Sequence, residues 1–307
     1  MDFASELERS AALRTKVAAM ERALVANPSD KGLRISLLSA RKLADRAESD
    51  LMDAAAASQI DLCRYRLQKQ SSGHYTATSL ANSVISFQDV VTALYNFVEN
   101  GAKSVARYSE RIREQSALNV AYTFPGSMGV LFSVPNDRNL FNEGKIDGVM
   151  DGLDRLAAIH DVQDVRQVVR EMGLNVVRTA YRWADHNWHS DYSVDVVWTH
   201  SNRIVKGGIF TRNQFLRMTT AIKSTSDEQI HKFTVVGTLV GMHVLSDTFS
   251  LATENGTTFS GRLSSSFDRR EYKIPREYRA KIAEITTVNY ATEMTSNRYE
   301  LLSLSEV

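Results

Sequence analysis

The segment Thr234–Leu263 reads TVVGTLVGMHVLSDTFSLATENGTTFSGRL. Apolar and polar residues alternate along much of it. Glycine recurs at Gly237, Gly241, Gly256 and Gly261, and turn-forming pairs stand at Ser246-Asp247 and Asn255-Gly256. Alternation with period two sends successive side chains to opposite faces of a strand, and glycine in a strand permits tight bends and close backbone approach. The segment therefore predicts a tightly bent antiparallel meander. A two-residue turn at Ser246-Asp247 would set Val244 opposite Phe249 and Met242 opposite Leu251. At the next turn, a two-residue Asn255-Gly256 loop would rotate Phe259 onto the wrong face. A three-residue loop of Glu254, Asn255 and Gly256 instead pairs Leu251 with Phe259 and Phe249 with Gly261, and it puts glycine at the left-handed position such loops favour. The predicted core face is Val236, Val240, Met242, Val244, Phe249, Leu251, Phe259 and Leu263. Strands over 278–290 and 298–304 would complete the sheet.

Working outward, the rest of the chain reads as mostly helical. The N-terminal part, residues 1–57, predicts two helices. The first carries Phe3, Leu7, Ser10, Leu13, Val17, Met20 and Leu24 on one stripe. Pro28 interrupts the pattern by disfavouring helix at Asn27, and Ser29 or Asp30 can cap a new start. The second repeats Leu33, Leu37, Ala40, Ala44, Ala47, Leu51 and Ala54 at steps of four and three, a heptad seam rich in alanine. A short loop favours an antiparallel, coiled-coil-like hairpin. That hairpin either packs on its own domain or carries a self-association surface, in which case Leu33, Leu37, Ala40, Ala44, Ala47 and Leu51 are the oligomerisation residues. Residues 58–222 predict a central mixed α+β domain: a strand over 60–68, helices over 84–100, 105–114, 147–159, 162–172 and 174–188, a hairpin turning at Pro125-Gly126, and a strand over 192–199. Strands and turns dominate from His200, with a short helix over 214–222. The polar run Lys223–Glu228 is the best linker, which leaves 223–307 as the small barrel. The fold class expected is α+β.

The 37 basic and 36 acidic residues nearly cancel, so no global field steers the protein toward nucleic acid or an anionic surface, and any such binding needs a local patch. The lone Cys63 rules out an internal disulfide and zinc-finger spacing. The N-terminus lacks a signal-peptide core, and no apolar run reaches the roughly 18 residues of a spanning helix. A cytoplasmic protein without membrane contact is expected, and no cofactor.

The chemistry on offer is sparse. Asp185, His186 and His189 form the densest group of metal-ligating residue types, at spacings that a helix brings to one side. The alternative is a polar helix end, where histidine suits the macrodipole. Cys63 with His74 suggests a thiol nucleophile, but a mid-strand cysteine is more often a small core residue. Ser127 lacks the GxSxG spacing of a nucleophile elbow. Arg262, Arg269, Arg270, Lys273, Arg276, Arg279 and Lys281 concentrate positive charge, diluted by Asp268, Glu271 and Glu277 and interleaved with Tyr272 and Tyr278. Arginines neutralise phosphates and exposed tyrosines stack on bases. Alternating charge is equally the ordinary solvated face of a strand.

The glycine-punctuated meander resembles SH3-like and OB-like small barrels over its C-terminal residues, a likeness of hairpin chemistry that transfers no functional residue. The expectation is a non-enzymatic assembly or adaptor protein, homo-oligomeric through its helical hairpin, that presents the barrel to a protein partner. The second reading is nucleic-acid or nucleotide binding at the basic rim. The third is a metal-dependent hydrolase.

Overall fold

The computed structural model describes residues 2–71, 74–124, 128–135, 144–200, 205–243, 245–269, 271–292 and 295–307. The fold is α+β, and the chain divides into two compact units, Met1–Ser224 and Thr225–Val307.

The first unit opens with α1 (Phe3–Ala26) and α2 (Lys31–Ala57). Asp30 caps α2 by accepting from the Leu33 N–H at 2.9 Å, so the chain turns sharply after Pro28. Next come β1 (Ile60–Lys69), α3 (Ala77–Asn100), α4 (Glu110–Gln115), β2 (Asn119–Phe124) and β3 (Gly129–Pro135). The unit ends with α5 (Lys145–Ala157), α6 (Val162–Met172), α7 (Leu174–His189), β4 (Tyr192–Thr199), β5 (Val205–Phe210) and α8 (Arg212–Lys223). The helix expected over 105–114 is shorter than its pattern implied, because the Ser109 hydroxyl accepts from Ile112 N–H and starts the turn there. The turn expected at Pro125-Gly126, with Ser127, lies outside the described residues.

The five strands of this unit run in the order β2-β3-β1-β4-β5, every pair antiparallel. Alternation decides the two faces. Cys63, Tyr65 and Leu67 of β1 share one face with Phe132 and Val134 of β3 and Val194, Val196 and Trp198 of β4, all buried. Phe87 of α3, Trp183 of α7 and Phe215 of α8 cover that face. Ring centroids lie 4.5 Å apart for Tyr65–Phe87 and 5.0 Å for Trp183–Phe215. Each such large side chain contributes about 1.5–3 kcal/mol by leaving water. On the opposite face, Leu62 and Leu131 pack with Leu51 and Ala55 of α2 and with Phe3 and Leu7 of α1. Cys63 is a fully buried core residue whose thiol burial pushes well above its ordinary range, and His74 is exposed.

The second unit contains β6 (Ser226–His243), β7 (Thr248–Ala252), β8 (Thr258–Leu263), β9 (Arg276–Asn289) and β10 (Thr295–Glu306). Ser226 to Glu228, read from sequence as part of a linker, already belong to β6. Their backbone groups pair with Asn289 to Thr287 of β9. The strand order is β10-β8-β7-β6-β9, and β9 pairs in turn with β10, so the ring of pairings closes.

The loop over Glu254–Gly256 has the expected register. Leu251 faces Phe259, Phe249 faces Gly261, and Gly256 takes φ +83°. The preceding turn differs. Met242 faces Phe249 rather than Leu251, and His243 faces Thr248. Val244 lies outside the described residues. Ser246 N–H and hydroxyl both turn back to His243 Nδ1, and this widens the turn. The core face changes with it. Along β6 the register slips between Leu239 and Gly241, which makes Val240 an extra residue in the strand. A bulge reverses the in–out sense of everything on its far side. Leu239 is therefore fully buried, while Val236 and Val240, predicted for the core, are 39% and 49% exposed. The core is completed by Phe249, Leu251, Leu263, Tyr278, Ile282, Leu301 and Leu304.

This register predicts unequal costs for two adjacent truncations. Leu239→Ala should destabilise the protein by about 2–5 kcal/mol. Val240→Ala should cost less than ~1 kcal/mol. Denaturant unfolding of the two variants measures the difference, and equal losses would contradict the bulge.

Candidate binding surfaces

The histidine-rich end of α7 does not assemble a metal centre. His186 turns toward α3, where its Nε2 donates to the Ser79 carbonyl at 2.9 Å. His189 folds back along its own helix, its Nδ1 2.8 Å from the Asp185 carbonyl and 3.4 Å from the Asp185 carboxylate. Asp185 and His189 thus meet each other while His186 turns away to α3, and among the described residues no three metal-ligating side chains come together. His189 instead serves the end of α7, donating to one of its last carbonyls, and His186 ties α7 to α3.

Asp191, just beyond that helix, fastens the loop after β1. Its carboxylate accepts from Ser71 N–H at 2.8 Å and lies 2.9 Å from Arg212 Nε. The hydrogen bonds from Ser71 hold its carboxyl below the usual range, with Arg212 and Lys69 adding to the effect.

The helical pair has two halves of different character. Near the sheet it shares the core described above. Farther out, Val17, Leu37, Ala40 and Ala44 form a cluster with Leu13, Met20 and Leu24 that draws only on α1 and α2. The seam residues Leu37, Ala40, Ala44, Ala47 and Leu51 are buried and Leu33 is half-buried. The distal cluster seats Leu37, Ala40 and Ala44 against α1, and Leu51 packs with the sheet, so these side chains are covered within the same chain. Ion pairs from Arg14 to Glu48 and Arg41 to Glu21 tie the two helices from the side. The side of α2 opposite the seam is where apolar surface remains open. Ile35 and Leu38, one turn apart, are 66% and 57% exposed.

In the predicted basic rim of the second unit, two of the cations are held in ion pairs. Arg269 bonds Asp247 at 2.9 Å, and Arg276 bonds Glu306 at 2.9 Å. Arg262 stands beside Glu300 in the parallel register of β8 and β10. Arg270 lies outside the described residues, and Lys273 is exposed. Tyr278 is buried, and Tyr272 packs against it and Phe267, so the two tyrosines expected to stack on bases belong to the core. Arg279 and Lys281 face outward from β9, and a third cation that the sequence reading missed, Lys232 of β6, joins them. In register, Lys281 lies between Thr234 and Ser303, Arg279 between Val236 and Ser305, and Lys232 beside Ala283. This outer face therefore sets cations beside hydroxyls across three strands, with Val236, Ala283, Glu277 and Glu300 on the same face. At one end of the ring, half-buried aromatic side chains converge from three strands: Phe233 and Phe259 at 5.4 Å, and Phe259 and Tyr299 at 5.3 Å. Glu284 accepts from Tyr299 and Asn297 beside them. Their positions are too far apart in the chain for a local pattern to have shown them.

No helix among the described residues is long and apolar enough to cross a membrane. No family model, curated protein or solved structure matches the chain.

Asp191 supplies a test by pH. Its folded-state pKa is lowered, so the stability it contributes is complete above the unfolded value of about 3.9. That contribution is lost as pH falls through the lower folded value. Asp191→Asn should therefore flatten the acid side of the stability profile. Thermal midpoints measured between about pH 3 and pH 6 report this, and an unchanged acid slope would contradict the role.

Proposed function

We propose that the protein is a non-enzymatic assembly or adaptor component. The helical pair over residues 1–57 is its docking element, the α+β body over 58–222 carries it, and residues 223–307 form a small barrel of the SH3-like or OB-like kind that faces a partner. The observation that supports this reading is the exposed pair Ile35 and Leu38 on the outer half of the arm. A contiguous apolar spot with polar surroundings marks an interaction surface more often than isolated apolar residues do. The arm lies along helices of 24 and 27 residues, about 36–40 Å at 1.5 Å per residue. Two copies set antiparallel would bring Ile35 and Leu38 of one against those of the other and remove four apolar side chains from water. The docking residues are then on the far side of α2 from the heptad seam.

Light scattering coupled to size exclusion tests the assembly. The wild type should be a dimer or larger, and Ile35→Glu with Leu38→Glu should release monomers whose circular dichroism is unchanged. A wild type that is monomeric at every concentration would sink the assembly reading.

A second reading, binding of single-stranded nucleic acid, is favoured by the outward cations Lys232, Arg279 and Lys281 with their flanking Thr234, Ser303 and Ser305. Neutralising three phosphates releases condensed counterions, so log K should fall with log salt at a slope of about −2. Charge reversal at Lys232, Arg279 and Lys281 together should abolish retention. Absence of retention of any oligonucleotide at low salt would remove this reading.

A further inference from the structure

Between α2 and the open face of the first sheet lies a cavity of about 240 Å³. Its apolar walls are Leu51 and Met52 from the helix and Leu62, Leu131 and Val197 from three neighbouring strands. Arg64, which faces Leu131 on one side and Val197 on the other, rises from the central strand into this lining. Its Nε is buried and has no hydrogen-bond acceptor among the described residues. Glu48 lines the same cavity, and its carboxylate is paired with Arg14. Thr199, also in the lining, is nearly buried.

A guanidinium cannot shed its proton, and an unsatisfied donor in apolar surroundings carries a desolvation penalty. An arginine stem usually lies along apolar surface with its head in water. Here the inner nitrogen of the head is held out of water within a hollow that is otherwise mostly hydrocarbon. An apolar pocket with a few converging polar groups is the ordinary form of a small-molecule site. The groups present define the ligand. One guanidinium, with the hydroxyl-bearing Thr199 and Tyr122 in the same lining, matches one carboxylate, and arginine is the side chain best shaped for that anion. An apolar cavity of roughly 150 Å³ holds benzene, so by proportion this one accommodates a ligand of roughly eight to ten non-hydrogen atoms.

We propose that this cavity binds a small monocarboxylate with an apolar body, an aryl or medium-chain aliphatic acid, whose carboxylate pairs with Arg64 and whose body lies between α2 and the sheet. The site is independent of the assembly reading, since Ile35 and Leu38 are not part of it.

The test uses the full chain with benzoate and octanoate as probes and benzamide as the neutral control, followed by ligand-observed NMR and calorimetry. Wild type should bind both acids saturably and more tightly than benzamide. Arg64→Met keeps the apolar stem and removes the charge. It should weaken the acids by about tenfold or more, the loss of one charge-assisted contact, and leave benzamide unchanged. Leu131→Trp, which fills the hollow, should abolish binding of all three. Arg64→Met should also raise the melting temperature by about 2–4 °C, because an uncompensated buried donor has gone. Absence of saturable acid binding by wild type, equal affinity in Arg64→Met, or a lowered melting temperature in that variant would each overturn the proposal.

Discussion

The first unit depends on a hydrogen-bonded quartet sealed inside it. Tyr65 of β1 shares its hydroxyl with Ser83 at 2.8 Å and accepts from Trp183 Nε1 at 3.1 Å. Ser83 in turn donates to Asn187, whose amide closes the circuit on the Trp183 carbonyl. Sheet, α3 and α7 are joined in one place where no water competes. Apolar packing alone would tolerate a helix sliding by part of a turn, whereas a missed partner here costs about 1–3 kcal/mol. Burial pushes the Tyr65 hydroxyl above its ordinary range, so it remains protonated and can donate. With Tyr65 held inward, strand alternation forces Leu62 and Arg64 outward. The platform that receives the helical pair, and the hollow beneath it, follow from that one orientation.

Much of this architecture could be read from residue order, because long periodic stretches repeat their signal. The seam from Leu33 to Ala54 names its own buried face, and its partner stripe, Leu13 to Leu24, is equally plain. The register across Gly256 was also legible, since one loop length alone puts Leu251 and Phe259 on the same side. Val240 shows where this legibility stops. Leu239 and Val240 are both aliphatic and both suit a strand, and nothing local marks which of them is supernumerary. The bulge is settled by β7, whose pairing with β6 slips there and is a property of the folded ring.

The binding surfaces were less legible, for a related reason. Composition counts a cation whether or not it has a counter-charge. Arg276 and Glu306 lie at opposite ends of the C-terminal segment and meet only because β9 and β10 are antiparallel. Lys232 joins Arg279 and Lys281 through strand pairing across a long separation in sequence. The alanine seam shows the same effect: its spacing reveals a face that wants a helix, and the chain provides that helix itself. What stays open is the opposite side, where Ile35 and Leu38 are too few to form a periodic signal.

The ring of the second unit is joined unevenly. The β6–β9 ladder pairs fourteen successive residues, whereas β8 and β10, the parallel neighbours, pair only at Arg262 with Glu300 and Leu263 with Leu301. There the backbones come so close that a methyl group on Gly261 would lie 2.0 Å from the Tyr299 carbonyl oxygen. Such a ring is a long hinge with a short clasp. Fourteen paired residues must part along the hinge and only two at the clasp, so the Ser264 amide proton, which is donated to the Leu301 carbonyl at 3.0 Å, is expected to exchange with solvent sooner than those along the hinge.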